Sequence, residues 1–129
     1  MNNRLILTHE APAPIGPYSQ AVWAGDLLFV SGQIPICAAD GTLVQGSVAD
    51  ETRQVMQNLQ AILHTAGLSF QHVVKATIFL KDMDDFSIVN QVYGSYFQQH
   101  YYPARETVEV ARLPKNVRVE ISVIACRNI

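Results

Sequence analysis

Charge is what this sequence is short of. Asp, Glu, Lys and Arg make up 16% of its 129 residues, against roughly a quarter in an average domain. With so few charges to cover a surface, some apolar area is expected to be buried between subunits. The net charge is −2 with nine Lys and Arg, which gives no basic field for nucleic acid. Long hydrophobic runs are missing too. The stretch Met1 to Glu10 holds neither a signal-peptide core nor a membrane anchor, so a cytoplasmic protein with no membrane partner is expected. Cysteine is nearly absent. Cys37 and Cys126 match no metal or redox spacing and read as reduced thiols. The four histidines His9, His64, His72 and His100 are scattered with no ligand spacing, which leaves no motif for a metal. Repeats, low-complexity tracts and linkers are absent as well.

What is present describes one domain over residues 1–129, long enough to build a core without staples. Ala11-Pro-Ala-Pro14 and Gly16-Pro17 make a stiff entry segment. Gln20 to Ala24 and Leu27 to Ser31 read as strands joined at Gly25-Asp26, a hairpin dipeptide, and Pro35 to Gly46 as a loop. A helix is expected from Val48 to Ala66, with Ser47 as N-cap, Asp50 three residues on, and Gly67 to end it. Its buried stripe would be Val55, Leu59, Ile62 and Ala66. Val73 to Lys81 reads as a strand. A second helix is expected from Asp84 or Asp85 to Gln99, with Phe86, Val89, Tyr93 and Phe97 as its apolar face. Two strands follow. These steps predict β-α-β crossovers with parallel strands and both helices on one sheet face. The other face, where Thr77, Phe79, Arg105, Thr107, Glu120 and Ser122 could lie, would need a cover.

The chemistry concentrates near the end of the chain. Val117, Val119, Ile121, Val123 and Ala125 alternate with Arg118, Glu120, Ser122 and Ile124. A carboxylate inside so apolar a strand is costly to bury unless it is paired or used. Arg105 shares a face of the preceding strand with Thr107, and guanidinium is well shaped to grip a carboxylate through two parallel hydrogen bonds. An anion clamp plus a lone acid or base, with no nucleophile between them, suggests water chemistry on a small carboxylic acid. A structural Arg105–Glu120 ion pair fits the same pattern. Lys75 and Lys115 are candidates for a Schiff base only in principle. The first reads as an ion-pair partner and the second as a solvated turn residue.

Ile15-Gly-Pro-Tyr-Ser-Gln-Ala-Val22, Ser31-Gly-Gln-Ile-Pro35, Asn58-Leu-Gln-Ala-Ile-Leu63, Asn90-Gln-Val-Tyr93 and Val110-Ala-Arg-Leu-Pro-Lys115 stand in order along the chain. Together they resemble the RidA (YjgF-type) family of enamine/imine deaminases, from about Ala11 to Ala125. The resemblance implies an α+β fold like that of chorismate mutase. It also implies homotrimers whose sheets close around a central barrel, with active sites in the clefts between subunits. The implied reaction is hydrolysis of 2-aminoacrylate, 2-iminobutanoate and related 2-enamine/2-imine acids to 2-keto acids and ammonia, with no metal or cofactor.

By the same resemblance Arg105 would bind the substrate carboxylate and Glu120 would handle the protons. Tyr18, Ser31, Gly32 and Asn90 would line the pocket, and Tyr18 could steady the water or the imine nitrogen. Tyr18 could equally be a turn aromatic at a subunit contact, and Asn90 a structural hydrogen-bonder. Thr107 departs from relatives that carry cysteine there. Its backbone N–H can still bind a carboxylate, whereas thiol chemistry is lost. A non-catalytic 2-keto acid-binding regulatory trimer and an RNA-directed translation inhibitor or endoribonuclease are the alternatives. The sequence leaves open the preferred imine, its source, and a detoxifying against a regulatory role.

Overall fold

Residues 4–128 are described by the structure, a computed structural model. In chain order the elements are β1 (Leu5–Ile6), β2 (Ala21–Ala24), β3 (Leu27–Gln33), α1 (Val48–Thr65), β4 (Val73–Leu80), α2 (Phe86–Gly94), β5 (Ala104–Glu109) and β6 (Val119–Cys126). The strands form one sheet in the order β1-β2-β3-β6-β4-β5. The α+β class is as expected, and the two-residue edge strand β1 was not foreseen. No helix among the described residues is long and apolar enough to cross a membrane.

Local chemistry sets the boundaries. Gly25 takes φ +60° in the two-residue turn of the β2–β3 hairpin, a backbone state that side chains resist. At the start of α1, the Asp50 N–H donates to Ser47 Oγ at 3.1 Å and the Ser47 N–H donates back to the Asp50 carboxylate at 3.5 Å. This is a capping box with Asp in the third position. At its end, Gly67 adopts φ +79°. The Gly67 N–H then reaches His64 O and the Leu68 N–H reaches Leu63 O, a Schellman closure. The second helix is shorter than its apolar pattern suggested and stops at Gly94. Phe97 lies in the turns beyond it and still packs, 5.2 Å from the Phe70 ring and 4.8 Å from Tyr93. The pattern reported the core contact correctly but not the conformation.

Both crossovers join parallel strands, as expected, but only one joins neighbours. The step β4-α2-β5 joins two paired parallel strands. The step β3-α1-β4 joins strands that are parallel but not neighbours, because β6 inserts between β3 and β4 and runs antiparallel to both. The last two strands of the chain are therefore separated by β4.

Both helices cover one face. Leu28, Val30, Ala76, Ile78, Leu80, Val119, Ile121, Val123 and Ala125 are buried there with Val55, Leu59, Ile62 and Val89. The opposite face stays open: Phe29 is 44% and Val108 40% exposed, and Phe79 and Ile124 are half-buried.

Candidate active site

Strand register decides which side chains can meet. Residues level with one another on paired strands point to the same side, and successive residues alternate. Arg105 is level with Ala76 and Thr107 with Ile78, both of which face the helices. Glu120 is level with Phe79 and Ser122 with Thr77, on the open face. The expectation that these side chains share one face therefore fails. Thr77, Phe79, Glu120 and Ser122 do share it. Arg105 and Thr107 turn to the other side, because β5 pairs with β4 in a register that alternation within β5 alone cannot reveal.

The candidate residues thus fall into two groups, each a candidate half-site. The first lies beside α2. Arg105 Nη1 donates to Asn90 Oδ1 at 2.5 Å. Its Cζ lies 5.6 Å from the Phe86 ring centroid and 5.3 Å from that of Tyr93. A cavity of about 680 Å³ opens here, lined by Asn90, Tyr93, Gly94, Tyr102, Pro103 and Arg105 among others. The hydroxyls of Tyr93 and Thr107 are buried and unpartnered. Burial pushes the Tyr93 phenol up to about 12, against a smaller opposing pull from Arg105, so it stays neutral at physiological pH.

The second half-site lies on the open face, in a cleft of about 360 Å³ lined by Ile15, Tyr18, Ser31, Gly32, Ile34, Pro114 and Glu120. Pairing between β3 and β6 shifts between Val30 and Gln33, so an irregularity in the ladder falls at Ser31-Gly32. Such breaks re-aim side chains beside functional sites. The Glu120 carboxylate lies directly against Gly32. A Cβ built on Gly32 would collide with Oε2 and come within 2.9 Å of Cδ. No hydrogen bond or ion pair reaches Glu120 among the described residues. Burial pushes its carboxyl above the ordinary glutamate value. The Tyr18 hydroxyl accepts from the Ile15 N–H at 3.2 Å, which shapes the turn and leaves its own proton free to donate. Ser31 Oγ donates to Ser19 O at 2.6 Å, tying the entry segment to β3.

The ion-pair alternative therefore has no support in the geometry. Arg105 is held by an amide, and Glu120 stands alone. Arg118, two residues before Glu120, binds Glu51, with Nε donating to Oε2 at 2.6 Å. Lys75 pairs with Glu106 at 3.2 Å. Lys115 is exposed in a turn with φ +55°. Cys37 and Cys126 are free thiols. No group of three His, Cys, Asp or Glu among the described residues could hold a metal.

Three side chains that shape the site escaped the sequence reading. Gln20, almost fully buried, receives the Thr8 N–H and donates to the carbonyls of Thr8 and Pro12, fixing the segment that carries Tyr18. Asn58 Nδ2 donates to Ile34 O and Ile36 O, holding the chain just after Gly32. Glu51 anchors the turn leading into Glu120 by accepting from the Arg118 backbone N–H at 3.0 Å as well as from its guanidinium. The available signal was position. Glu51 and Asn58 lie on the buried stripe of α1, spaced with Val55 and Ile62, where an unpaired polar group is costly.

The family model described as Endoribonuclease L-PSP matches residues 8–127. A RutC family protein of Pyrococcus horikoshii is 54% identical over 121 residues, covering 94% of this chain and 95% of that protein. The bovine 2-iminobutanoate/2-iminopropanoate deaminase is 51% identical over 122 residues, covering 95% and 88%. Among solved structures, Escherichia coli TdcF with bound serine superposes with a TM-score of 0.91 at 44% identity, covering 98% of this chain and all of that one (100%). With nearly its full length matched by the family model and half of its residues shared with such relatives, the chain belongs to the Endoribonuclease L-PSP family, which includes the RutC and RidA proteins.

Proposed function

We propose that the protein is a hydrolytic deaminase of 2-enamine/2-imine carboxylic acids such as 2-aminoacrylate and 2-iminobutanoate, acting as a homotrimer. One observation carries the reading. Arg105 and Glu120 are both free of a charged partner, yet they sit on opposite faces of one sheet. Neither half-site suffices alone. A second copy that lays its α2–β5 edge against the open face would bring the two together. The apolar residues on that face, Phe29, Phe79, Val108 and Ile124, give it something to bury. The name of the bovine relative supports the substrate class.

In the assembled cleft Arg105 grips the substrate carboxylate and orients the adjacent C=N carbon. Glu120 takes a proton from water as its oxygen adds to that carbon. The proton then passes to nitrogen, the C–N bond breaks, and ammonia leaves as the carbonyl forms. The balance is imine plus water to 2-keto acid plus ammonia. A carboxylate whose affinity for the proton is raised by burial is a stronger base toward the attacking water. Gly32, Ser31 and the Thr107 backbone line the remaining space, and Tyr18 donates to the water or to nitrogen.

The test generates the imine in place with a pyridoxal-phosphate threonine dehydratase and follows ammonia and 2-oxobutanoate. The protein should accelerate loss of the imine at catalytic concentration. An unchanged rate together with saturable binding of 2-oxobutanoate would favour the non-catalytic binding trimer. The family's endoribonuclease description keeps an RNA-directed role as the other reading. The net charge of −2 argues against it, and salt-dependent retention of RNA would reinstate it.

A further inference from the structure

We infer that Asn90, Phe86 and Tyr93 form a cradle on α2 that sets the direction and preserves the charge of the Arg105 guanidinium, so that Asn90 is a positioning residue rather than a ligand of the substrate. This rests on the reading of Arg105 as the carboxylate clamp. Positions 86, 90 and 93 are spaced by four and three residues, so they share one side of the helix. Each touches the same side chain: Asn90 Oδ1 accepts from Nη1 at 2.5 Å, and the two rings lie 5.6 and 5.3 Å from Cζ. A long, flexible arginine is thereby restricted in two ways. The amide fixes one edge, and the ring faces attract the cationic plane. The remaining N–H groups stay available for an incoming anion.

The identity of the amide matters. Aspartate at position 90 would accept the same hydrogen bond with the same reach. It would also neutralise the guanidinium and compete with the substrate's own carboxylate. Asparagine orients without cancelling charge. Tyr93 contributes its ring rather than its hydroxyl, because the hydroxyl is buried with no partner.

The experiment measures binding of 2-oxobutanoate by calorimetry alongside deamination kinetics. Asn90 is exposed on the helix and alanine favours helix, so Asn90→Ala should fold. Its Kd and KM should rise about tenfold, the scale of one charge-assisted hydrogen bond, with kcat much less affected. Asn90→Asp, the closer match in shape, should bind worse than Asn90→Ala. A merely structural asparagine would give the opposite order. Tyr93→Leu and Phe86→Leu should each weaken binding about threefold, and Tyr93→Phe, which keeps the ring, should recover most of what Tyr93→Leu loses. If Arg105→Ala binds 2-oxobutanoate as well as the parent does, the clamp reading fails. If Arg105→Ala loses binding while Asn90→Ala keeps it, or if Asn90→Asp binds better than Asn90→Ala, the clamp stands and the cradle is overturned.

Discussion

At the residue scale, the two charged groups differ in what the sequence could say about them. Glu120 was legible because it breaks the apolar alternation of its strand, and Arg105 because a guanidinium is shaped to grip a carboxylate. Their relation was not, since whether Arg105 and Glu120 meet depends on pairing between β4 and its neighbours. Arg105→Lys keeps the charge but replaces a planar fork with a point donor. It should lower kcat/KM by roughly 30- to 150-fold, equivalent to about 2–3 kcal/mol, in the dehydratase-coupled assay. Glu120→Gln should leave the Kd for 2-oxobutanoate unchanged or lower while kcat falls about 10²- to 10⁴-fold. If binding and turnover fall together, Glu120 is a structural residue. The same variant has a thermodynamic signature. Burial raises the Glu120 carboxyl in the folded state, so the folded protein holds its proton to higher pH than the unfolded chain does. The resulting penalty is absent at acid pH, grows as pH rises through the unfolded value, and persists above the folded one. The carboxamide of the variant does not titrate, so Glu120→Gln should melt higher than the parent at about pH 7.5, with the gap closing below about pH 4. Gly32→Ala places a methyl where the Glu120 carboxylate lies. It should cost kcat through a displaced Glu120 with little loss of melting temperature, and a matching fall in both would point to backbone damage instead.

At the element scale, the legible parts were those written in local chemistry. Ser47 with Asp50 marked one end of α1 and Gly67 the other, and Gly25 marked the hairpin. The end of α2 was misjudged because Phe97 continues the apolar spacing after the helix has stopped, since a core contact can be made from a turn as well as from a helix. The polar members of the α1 stripe were the unread signal. Glu51, 5% exposed, couples the first turn of α1 to the entry of β6 through both the backbone and the side chain of Arg118. Glu51→Ala should destabilise the fold by about 2 kcal/mol, visible as a lower urea midpoint. It should also reduce kcat more than it weakens 2-oxobutanoate binding, because the strand it anchors carries Glu120 and not Arg105. Equal losses in the two would mean that the anchor acts on the whole sheet.

At the scale of the whole molecule, the low charged fraction pointed to buried area between copies, and the open sheet face with Phe29 and Val108 exposed gives that expectation a location. Light scattering should return the mass of three chains at micromolar concentration, and a monomer would remove both the assembly and the composite site. The placement of the two half-sites on opposite faces carries a genetic consequence. In the proposed trimer a chain defective at Arg105 and a chain defective at Glu120 would damage different halves of each cleft, so the two alleles are not equivalent and should complement. In mixed trimers formed by co-expression, a cleft is whole wherever the arginine of one defective chain meets the glutamate of the other. Random assembly makes that about one quarter of all clefts. Arg105→Ala and Glu120→Gln, each inert alone, should therefore regain activity when produced in the same cell, and should fail to regain it when purified separately and mixed without subunit exchange. The doubly substituted chain Arg105→Ala/Glu120→Gln should poison parental trimers more heavily than either single substitution does, because each copy spoils the two clefts it borders.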